Sequence, residues 1–415
     1  MENFHRVNHE LFCEKVALKE LAQVVGTPTY VYSRQSIQNG LDRFTGAFES
    51  SGVRICYSVK SNSNLSILNM MARNGVGADI VSGGELFRAL KAGIDPKKIV
   101  YSGVGKTAEE LHFALKSGIG MINIESEPEL LSLAQIAEET ETVVSIACRI
   151  NPDIDAGAHH YTTTAKKENK FGLPLAAAFE LYKKAHAMPY INPVGVDVHL
   201  GSPIHALEPY QKALVVLESF IGDLRAAGIM IAVLDIGGGY GIRYNDENPF
   251  TPVQFAGLIQ PYLERLGCEL IIEPGRCIVG NAGVLLTRLT YCKKTETKQF
   301  YIGDAGMNDL IRPPLYGSYH GVAPVVSHNR PLTTVDVVGP ICESSDFFAK
   351  DRQVETMQQG ELLAVMSTGA YGFTMSSNYN SRPRAAEVLV DGSQYSIIRK
   401  RETYDDLISG EAITW

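Results

Sequence analysis

The sequence predicts an α/β protein in which a (β/α)8 TIM-like barrel is followed by a C-terminal all-β domain, a β-barrel or sandwich. Eight strand candidates alternate with apolar helical patterns from residue 54 to about 280, which is typical of such a barrel. Beyond residue 280, short strand patterns separated by Gly, Pro and Asn turns replace this alternation. A chain of 415 residues is also longer than one ordinary core supports.

The change of pattern sets the predicted domain boundaries. We expect the barrel over residues 27–280, and a β domain formed by 1–26 and 281–415. The barrel strand candidates are 54–60, 76–80, 99–103, 121–126, 143–151, 193–200, 233–239 and 269–276. The strand candidates of the β domain are 284–292, 298–304, 333–338, 361–366, 386–391 and 394–398. A doubly wound sheet is the alternative for the first part, but eight even units favour the barrel.

Composition narrows the function classes. A net charge of −8 argues against nucleic acid or an anionic membrane as partner. No run of 18 apolar residues is present, so we expect no membrane span. The seven cysteines are scattered without C-x-x-C pairs, which fits a reducing compartment and predicts neither a disulfide framework nor a metal site. The first residues lack the pattern of a signal peptide. We expect a cytoplasmic protein.

A lysine stands where α/β barrels keep their chemistry. The segment 54–60 reads as a buried strand, with Ile55, Tyr57 and Val59 alternating, and it ends on Lys60. Catalytic residues of barrels lie at the carboxyl ends of strands. A solvated lysine at a strand end is the alternative, and the residues at the other strand ends bear on the choice.

Three glycines, Gly237, Gly238 and Gly239, come directly after the seventh strand candidate. Glycines allow backbone N–H groups to approach an anion closely. The loops after the seventh and eighth strands of barrels are a common phosphate site. A tight turn is the alternative explanation of a glycine run, but this position favours a phosphate site.

Polar residues also end other strands. Glu273 and Arg276 end the eighth, His199 the sixth and Asp79 the second. A carboxylate such as Glu273 holds the ring nitrogen of a pyridine cofactor protonated, and an arginine binds carboxylate or phosphate. A buried ion pair, a structural histidine and a loop cap are the respective alternatives. With Lys60 and the glycines, the set indicates pyridoxal 5′-phosphate bound as a Schiff base to Lys60.

With these residues in view, the chain resembles the fold-type III pyridoxal-phosphate decarboxylases, which pair an alanine-racemase-like barrel with a C-terminal β domain. The family-wide motifs are Tyr57-Ser58-Val59-Lys60, His199-Leu200-Gly201-Ser202, Gly237-Gly238-Gly239 and Glu273-Pro274-Gly275-Arg276. Segments 303–316, 339–346 and 369–380 resemble the branch that decarboxylates meso-2,6-diaminopimelate to L-lysine and CO2 in the last step of lysine biosynthesis. The resemblance extends from residue 26 to about 390.

The resemblance implies a role for each matching position. Lys60 is the Schiff-base lysine, and His199 stacks on the cofactor ring. The implied cofactor-binding set is Lys60, Asp79, His199, Ser202, Gly237, Gly238, Gly239, Glu273, Gly275, Arg276 and Tyr371. The implied substrate-binding set is Arg276, Arg312, Tyr316, Glu343 and Tyr371. Cys342 donates a proton to the carbanion, so the implied catalytic residues are Lys60, His199 and Cys342. The Cys342-Glu343 segment reaches the other subunit's site, which implies a homodimer with shared active sites.

Alternatives remain open for this branch. Decarboxylases of ornithine, arginine, carboxynorspermidine or a carrier-bound amino acid are rival enzymes, and a non-catalytic cofactor-binding relative belongs to a different class. Taken singly, Cys342 reads as a small buried hydrophobe, Arg312 as a turn residue, and Tyr316 and Tyr371 as core aromatics. One departure is visible: Pro203 stands where the family commonly has glutamine, so a side-chain contact at that position is lost.

Overall fold

The computed structural model describes residues 1–49, 52–157 and 170–415, which form two compact units. The barrel unit comprises 42–242 and 248–275, and the β unit comprises 1–41, 243–247 and 276–415. The β unit thus includes residues 27–41, which the sequence pattern places with the barrel. The reason is that strand Thr29–Ser33 pairs with strands Gly283–Lys294 and Ala386–Asp391 of the β unit.

In the described part of the barrel unit, eight parallel strands close into a barrel, as predicted. In chain order, these barrel strands are Arg54–Ser58, Gly77–Ile80, Ile99–Tyr101, Met121–Ile124, Val144–Asn151, Ile191–Asp197, Val233–Asp235 and Glu269–Ile272. The fourth and fifth strands close the ring, with Ile122 opposite Ile146. A short strand, Leu173–Pro174, pairs beside the fifth. Most barrel strands end earlier than predicted, because the chain leaves the sheet before it reaches the functional residues.

Helices follow the barrel strands, and local capping sets where several of them begin. The barrel helices are Leu65–Arg73, Gly83–Lys91, Ala108–Ser117, Glu127–Glu139, Leu175–His186, Glu208–Ala226 and Pro252–Leu266. Asn64 and Ser82 cap the first two by accepting from backbone N–H groups. Thr107 and Glu110 form a capping box on the third. These caps fix where each strand–helix loop ends, and therefore where its polar residues lie.

The β unit is built from antiparallel and mixed sheets. One three-stranded sheet contains Phe4–Val7, Glu10–Cys13 and Val16–Ala17. The larger sheet contains Thr29–Ser33, Gly283–Lys294, Gln299–Gly303, Val322–Pro324, Leu332–Val338, Phe347–Glu355, Leu362–Val365, Ala386–Asp391 and Gln394–Arg399. Short helices interrupt the strands at Leu18–Val25, Arg276–Val279, Arg312–Tyr316 and Tyr404–Leu407. A buried cluster that includes Leu18, Val31, Val284 and Val388 forms the core.

The sequence pattern missed one long helix and several strands of the described ranges, among them Phe347–Glu355 and Val322–Pro324. The helix is Arg34–Ala47, whose two glycines and many polar residues weaken the helical signal. A Cβ at Gly40 would lie 2.9 Å from the carbonyl oxygen of Ile278, so close packing explains one of these glycines. Strand Phe347–Glu355 carries charged residues in its middle, and Val322–Pro324 ends in proline. None of the helices in the described ranges is long and apolar enough to span a bilayer.

Candidate active site

Lys60 lies in a 3₁₀ turn, Val59–Ser61, directly after the first barrel strand. Its Nζ forms an ion pair with the carboxylate of Asp79, at the end of the second strand. Ser58 Oγ donates to Asp79 Oδ2 over 2.8 Å and thus helps to hold that carboxylate. The Asp79 side chain is fully buried, whereas that of Lys60 is 33% exposed. The carboxylate therefore orients an amine that remains accessible.

Four buried carboxyl groups surround this turn: Asp79, Asp197, Asp235 and Glu273. Burial, with Asp235 and Asp79 nearby, holds the pKa of Glu273 well above its usual range. Burial likewise raises the pKa of Asp235 to about 7, and Asp235 shares a side-chain hydrogen bond with Glu273. Two buried carboxyl groups joined by a hydrogen bond share a proton, so the pair does not ionise fully. A cationic group would be stabilised here.

Three of the carboxyl oxygens have no hydrogen-bond partner among the described residues: Asp79 Oδ1, Asp197 Oδ1 and Glu273 Oε1. Unpaired buried oxygens are costly in a folded protein, so a bound ligand or an ordered water is expected to satisfy them. Glu273 Oε1 in particular is a buried acceptor at the end of the eighth strand. This oxygen suits a protonated ring nitrogen, the partner that the sequence predicts for Glu273.

His199 lies two residues after the sixth barrel strand and is partly buried. Its Nδ1 accepts a hydrogen bond from the backbone N–H of Gly238 over 3.2 Å. Burial, together with the positive charges of Arg149 and Lys60, holds the pKa of His199 well below its usual range. The ring is therefore neutral and presents an uncharged aromatic face, as stacking on a flat cofactor requires.

The glycine run after the seventh strand packs against two neighbouring loops. A Cβ at Gly238 would lie 2.2 Å from the carbonyl oxygen of Glu273, and one at Gly237 would lie 2.7 Å from His199 Nδ1. Gly239 has φ = 101°, a conformation that disfavours other residues. Glycine is therefore required at these positions. Two N–H groups of the run are already used within the chain: that of Gly237 donates to Asp235 Oδ1 over 3.0 Å, and that of Gly238 donates to His199 Nδ1.

Gly275 and Ser202, which are also predicted to bind the cofactor, lie in the same region of the barrel. Gly275 is buried, and a Cβ there would lie 2.8 Å from that of Ser58 and 3.0 Å from Ser61 Oγ. The loop after the eighth strand thus packs directly on the Lys60 turn. Ser202 lies in the loop after the sixth strand and is partly exposed.

The sequence reasoning missed several polar residues of the barrel mouth. Arg149, near the end of the fifth strand, donates to Glu125 over 3.0 Å and lies 3.9 Å from Asp197. Glu125 also accepts from the backbone N–H of Gly172 over 2.9 Å, so it caps a loop as well as binding Arg149. Asp197 and Asp235 end the sixth and seventh strands. The signal that would have found them is the one used for Asp79: a polar residue at a barrel-strand end.

Within the β unit, two buried arginines lie among tyrosines; we call Arg276, Arg312, Tyr244, Tyr316 and Tyr371 the arginine cluster. Arg276 donates to Tyr244 Oη over 2.8 Å and lies over the ring of Tyr371, 4.8 Å from its centroid. Arg312 lies 5.8 Å from the ring centroid of Tyr316. Although burial opposes ionisation, the two arginines lower the pKa of Tyr244. Tyr244 was not predicted; no local pattern marks it.

The guanidinium groups of Arg312 and Arg276 are both buried, with 5% and 7% of the residue exposed. No carboxylate of the described residues forms an ion pair with Arg312. A buried cation without an anionic partner is unfavourable, and a bound carboxylate or phosphate would compensate it. The arginine cluster is therefore suited to bind anionic groups.

Cys342 and Glu343 are exposed, and they contact neighbours outside the arginine cluster. The backbone N–H of Cys342 donates to Asn380 Oδ1 over 2.9 Å. The Glu343 carboxylate accepts from the Ser345 hydroxyl, and hydrogen bonds from Ser345 and Tyr379 lower its pKa. The alternative interpretation of Cys342 as a small buried hydrophobe therefore does not hold for this chain. Both side chains lie on an ordered, exposed loop.

The residues of the barrel mouth fit pyridoxal phosphate. The accessible amine of Lys60 allows covalent attachment of the cofactor. The buried carboxyl oxygen of Glu273 that has no partner among the described residues suits a protonated ring nitrogen. The glycine run has no side chains that would keep a phosphate away from its backbone, and a neutral imidazole lies next to it.

Comparisons with known proteins agree with this assignment. A model of the pyridoxal-binding domain of pyridoxal-dependent decarboxylases matches residues 34–280. The diaminopimelate decarboxylase of Pseudomonas fluorescens is 48% identical over 414 residues, covering 100% of this chain and 99% of that protein. The crystal structure of the Helicobacter pylori enzyme complexed with L-lysine has TM-score 0.92 at 42% identity, covering 94% of this chain and 98% of that one. The M. jannaschii enzyme in co-complex with L-lysine has TM-score 0.95 at 35% identity, covering 100% and 98%.

The barrel and its lysine-centred mouth define a pyridoxal-phosphate-dependent decarboxylase, and the matching domain model agrees with that class. The full-length relatives narrow the class, and the chain belongs to the diaminopimelate decarboxylase family. The fold, the family and the cofactor predicted from the sequence are thereby confirmed.

Proposed function

We propose that this chain decarboxylates meso-2,6-diaminopimelate to L-lysine and CO2, with pyridoxal 5′-phosphate attached to Lys60. The observation that carries the proposal is 48% identity to a diaminopimelate decarboxylase over the full length of both chains. The chemistry of the site also supports the proposal, since an accessible lysine lies beside buried carboxyl groups. When bound, the cofactor supplies an electron sink for the electron pair that departing CO2 leaves behind.

The proposed cofactor residues act by holding and orienting. Lys60 Nζ carries the covalent link, and Asp79 fixes the direction of this amine. Glu273, whose Oε1 has no partner among the described residues, would hold the ring nitrogen protonated. The neutral His199 ring would stack on the cofactor. The remaining proposed contacts, to phosphate and ring, come from Ser202, Gly237, Gly238, Gly239, Gly275, Arg276 and Tyr371.

The proposed substrate residues match a molecule with two amino-acid head groups. Arg276 and Arg312 are buried cations, and Arg312 has no carboxylate partner among the described residues, which suits a substrate carboxylate. Tyr316 and Tyr371 lie beside them and add hydroxyl groups. Glu343 binds the distal amino group, and Cys342 Sγ delivers a proton to the carbon that has lost CO2. Ornithine and arginine lack the distal carboxylate, so they do not satisfy this set.

We further propose a homodimer in which each subunit contributes Cys342 and Glu343 to its partner's active site. The exposure of both side chains on one loop supports this assignment. Asp346 accepts from the backbone N–H groups of Ile341 and Met307, so the loop keeps its shape without a second chain. A cytoplasmic location belongs to the same proposal, since all seven cysteines are free thiols, as a reducing compartment allows.

The test is a substrate panel. Purified protein loaded with pyridoxal phosphate is incubated separately with meso-diaminopimelate, L,L-diaminopimelate, ornithine and arginine, and released CO2 is measured. We expect CO2 from the meso isomer alone. Release from ornithine or arginine would replace the substrate assignment and leave the cofactor assignment intact. No release from any of them would favour a carrier-bound substrate or a non-catalytic relative.

A further inference from the structure

A second histidine, His320, is completely buried beside Arg312. Its Nδ1 lies 2.9 Å from the carbonyl oxygen of Met366, and its Nε2 lies 3.4 Å from Arg312 Nε. A carbonyl oxygen only accepts and a guanidinium only donates. One neutral tautomer satisfies both contacts, with the proton on Nδ1 and a lone pair on Nε2.

The surroundings keep this tautomer in place. Burial and the charge of Arg312 lower the pKa of His320 to about 3, so the ring stays neutral. The ring packs edge-to-face with Tyr244, with centroids 5.3 Å apart. Arg352 donates to the carbonyl oxygen of His320 over 3.0 Å and anchors the backbone. The imidazole therefore has one orientation and one protonation state.

The contact with His320 limits how Arg312 can lie. Ser318 Oγ accepts from Arg312 Nη2 over 3.2 Å, and His320 accepts from Nε. Arginine has five N–H donors, and no other described residue is hydrogen-bonded to the remaining three. Two acceptors on different nitrogens set the plane of the guanidinium and leave Nη1 for a ligand.

We propose that His320 is a positioning residue: it holds the Arg312 guanidinium in the plane that receives the carboxylate of the substrate's non-reacting end. Neither a negative charge nor a second cation would serve at this position. A carboxylate would neutralise Arg312 and compete with the substrate, whereas a charged imidazole would repel the guanidinium of Arg312. The inference rests on the proposed function, because it assigns Arg312 to the carboxylate that L-lysine retains as product.

Comparing two inhibitors isolates this effect. L-lysine retains the carboxylate, and cadaverine (1,5-diaminopentane) is the same chain without it. In the His320→Asn holoenzyme, the shorter amide still donates to Met366 but does not reach Arg312. We expect the KM for meso-diaminopimelate and the Ki of L-lysine to rise about tenfold, while the Ki of cadaverine stays within about twofold of wild type.

Two controls accompany this variant. His112→Asn makes the same change at an exposed helix position, with 48% of the side chain exposed, and should leave all three constants unchanged. In His320→Gln, the longer amide brings an acceptor to the place of Nε2, and the Ki of L-lysine should return towards wild type. If His320→Asn does not fold, His320→Gln decides alone, through the same pair of inhibitors.

The inference is overturned if both Ki values rise together in the His320 variants, since a general distortion of the site would do that. It is equally overturned if His320→Asn has the KM and Ki of wild type. In either case, wild-type activity on meso-diaminopimelate would leave the proposed function standing. An inactive wild type would instead count against the proposed function itself.

Discussion

Single residues in the barrel mouth owe their chemistry to burial. Asp79 and Glu273 are ordinary carboxylic acids, yet each has a buried oxygen without a partner among the described residues. Lys60 differs from a surface lysine because a fully buried carboxylate orients it while 33% of its side chain stays exposed. Burial therefore leaves side chains of common types with polar atoms that a bound ligand would stabilise.

Glu273→Gln tests this view at one atom. The amide has nearly the same volume but no negative charge, so it does not hold a proton on the ring nitrogen. We expect kcat to fall by about a hundredfold or more, with pyridoxal phosphate still bound. Steady-state kinetics and the absorbance of the bound cofactor measure the two quantities.

Glu269→Gln is the matched control. Glu269 begins the same strand at the opposite end of the barrel, where it pairs with Arg54. We expect its kcat to stay near wild type. A Glu273→Gln enzyme with wild-type kcat would contradict the role assigned to Glu273. If Glu273→Gln instead fails to bind pyridoxal phosphate, Glu273 serves only to retain the cofactor.

At the scale of elements, the barrel strands bring distant parts of the sequence to one end. This rule is why Lys60, Asp79 and Glu273 were predictable as neighbours without a structure. Arg149 and Asp235 obey the same rule but lie outside the family motifs, so they were not predicted.

Other features of the site depend on loops, for which the sequence offers no comparable rule. Tyr244 lies in the segment 243–247, which joins the β unit although the chain on both sides belongs to the barrel. His320 contacts Arg312 across a turn that follows a short helix. Neither placement follows from periodicity or propensity, since both depend on tertiary contacts. The same holds for helix Arg34–Ala47, whose Gly40 is explained by packing against Ile278.

Gly238→Ala tests the glycine run as an element. A Cβ would lie 2.2 Å from the Glu273 carbonyl oxygen, so the loop must shift. We expect the free energy of unfolding to fall by about 1–3 kcal/mol and the affinity for pyridoxal phosphate to weaken. Chemical denaturation and cofactor titration measure these changes.

The control for Gly238→Ala is Gly46→Ala, in a helix where a Cβ would meet nothing within 4 Å. That change should be neutral or slightly stabilising, because alanine favours helix more than glycine does. Equal cofactor affinity in Gly238→Ala and wild type would show that the glycine run does not bind the phosphate.

At the scale of the whole molecule, the proposed function needs residues from two chains. Cys342 and Glu343 are exposed in the single chain, whereas Arg276 and Arg312 are buried. The sequence motifs predicted these residues but not their exposure, which depends on how the loop 339–346 folds. A shared active site accounts for chemically reactive residues on an exposed, ordered loop.

Mixed dimers test the sharing. Lys60→Ala and Cys342→Ala homodimers should each be inactive or nearly so. After subunit exchange, a mixed dimer contains one site with both residues intact, so about a quarter of wild-type activity should return in an equal mixture. Differently tagged subunits verify the exchange.

Cys292→Ala alters another exposed cysteine of the β unit and should keep full activity as a homodimer. If exchange is verified and no activity returns, Lys60 and Cys342 of the same chain act together, and the shared-site proposal is wrong.

The most direct test of the central claim measures L-lysine and CO2 formed from meso-diaminopimelate by the wild type and by Lys60→Ala. We predict equal amounts of L-lysine and CO2 from the wild type, because each turnover breaks one carbon–carboxylate bond. We predict neither product above background from Lys60→Ala, since the amine that carries the cofactor is gone. Undiminished L-lysine formation by Lys60→Ala, or no L-lysine from the wild type loaded with pyridoxal phosphate, would contradict the account.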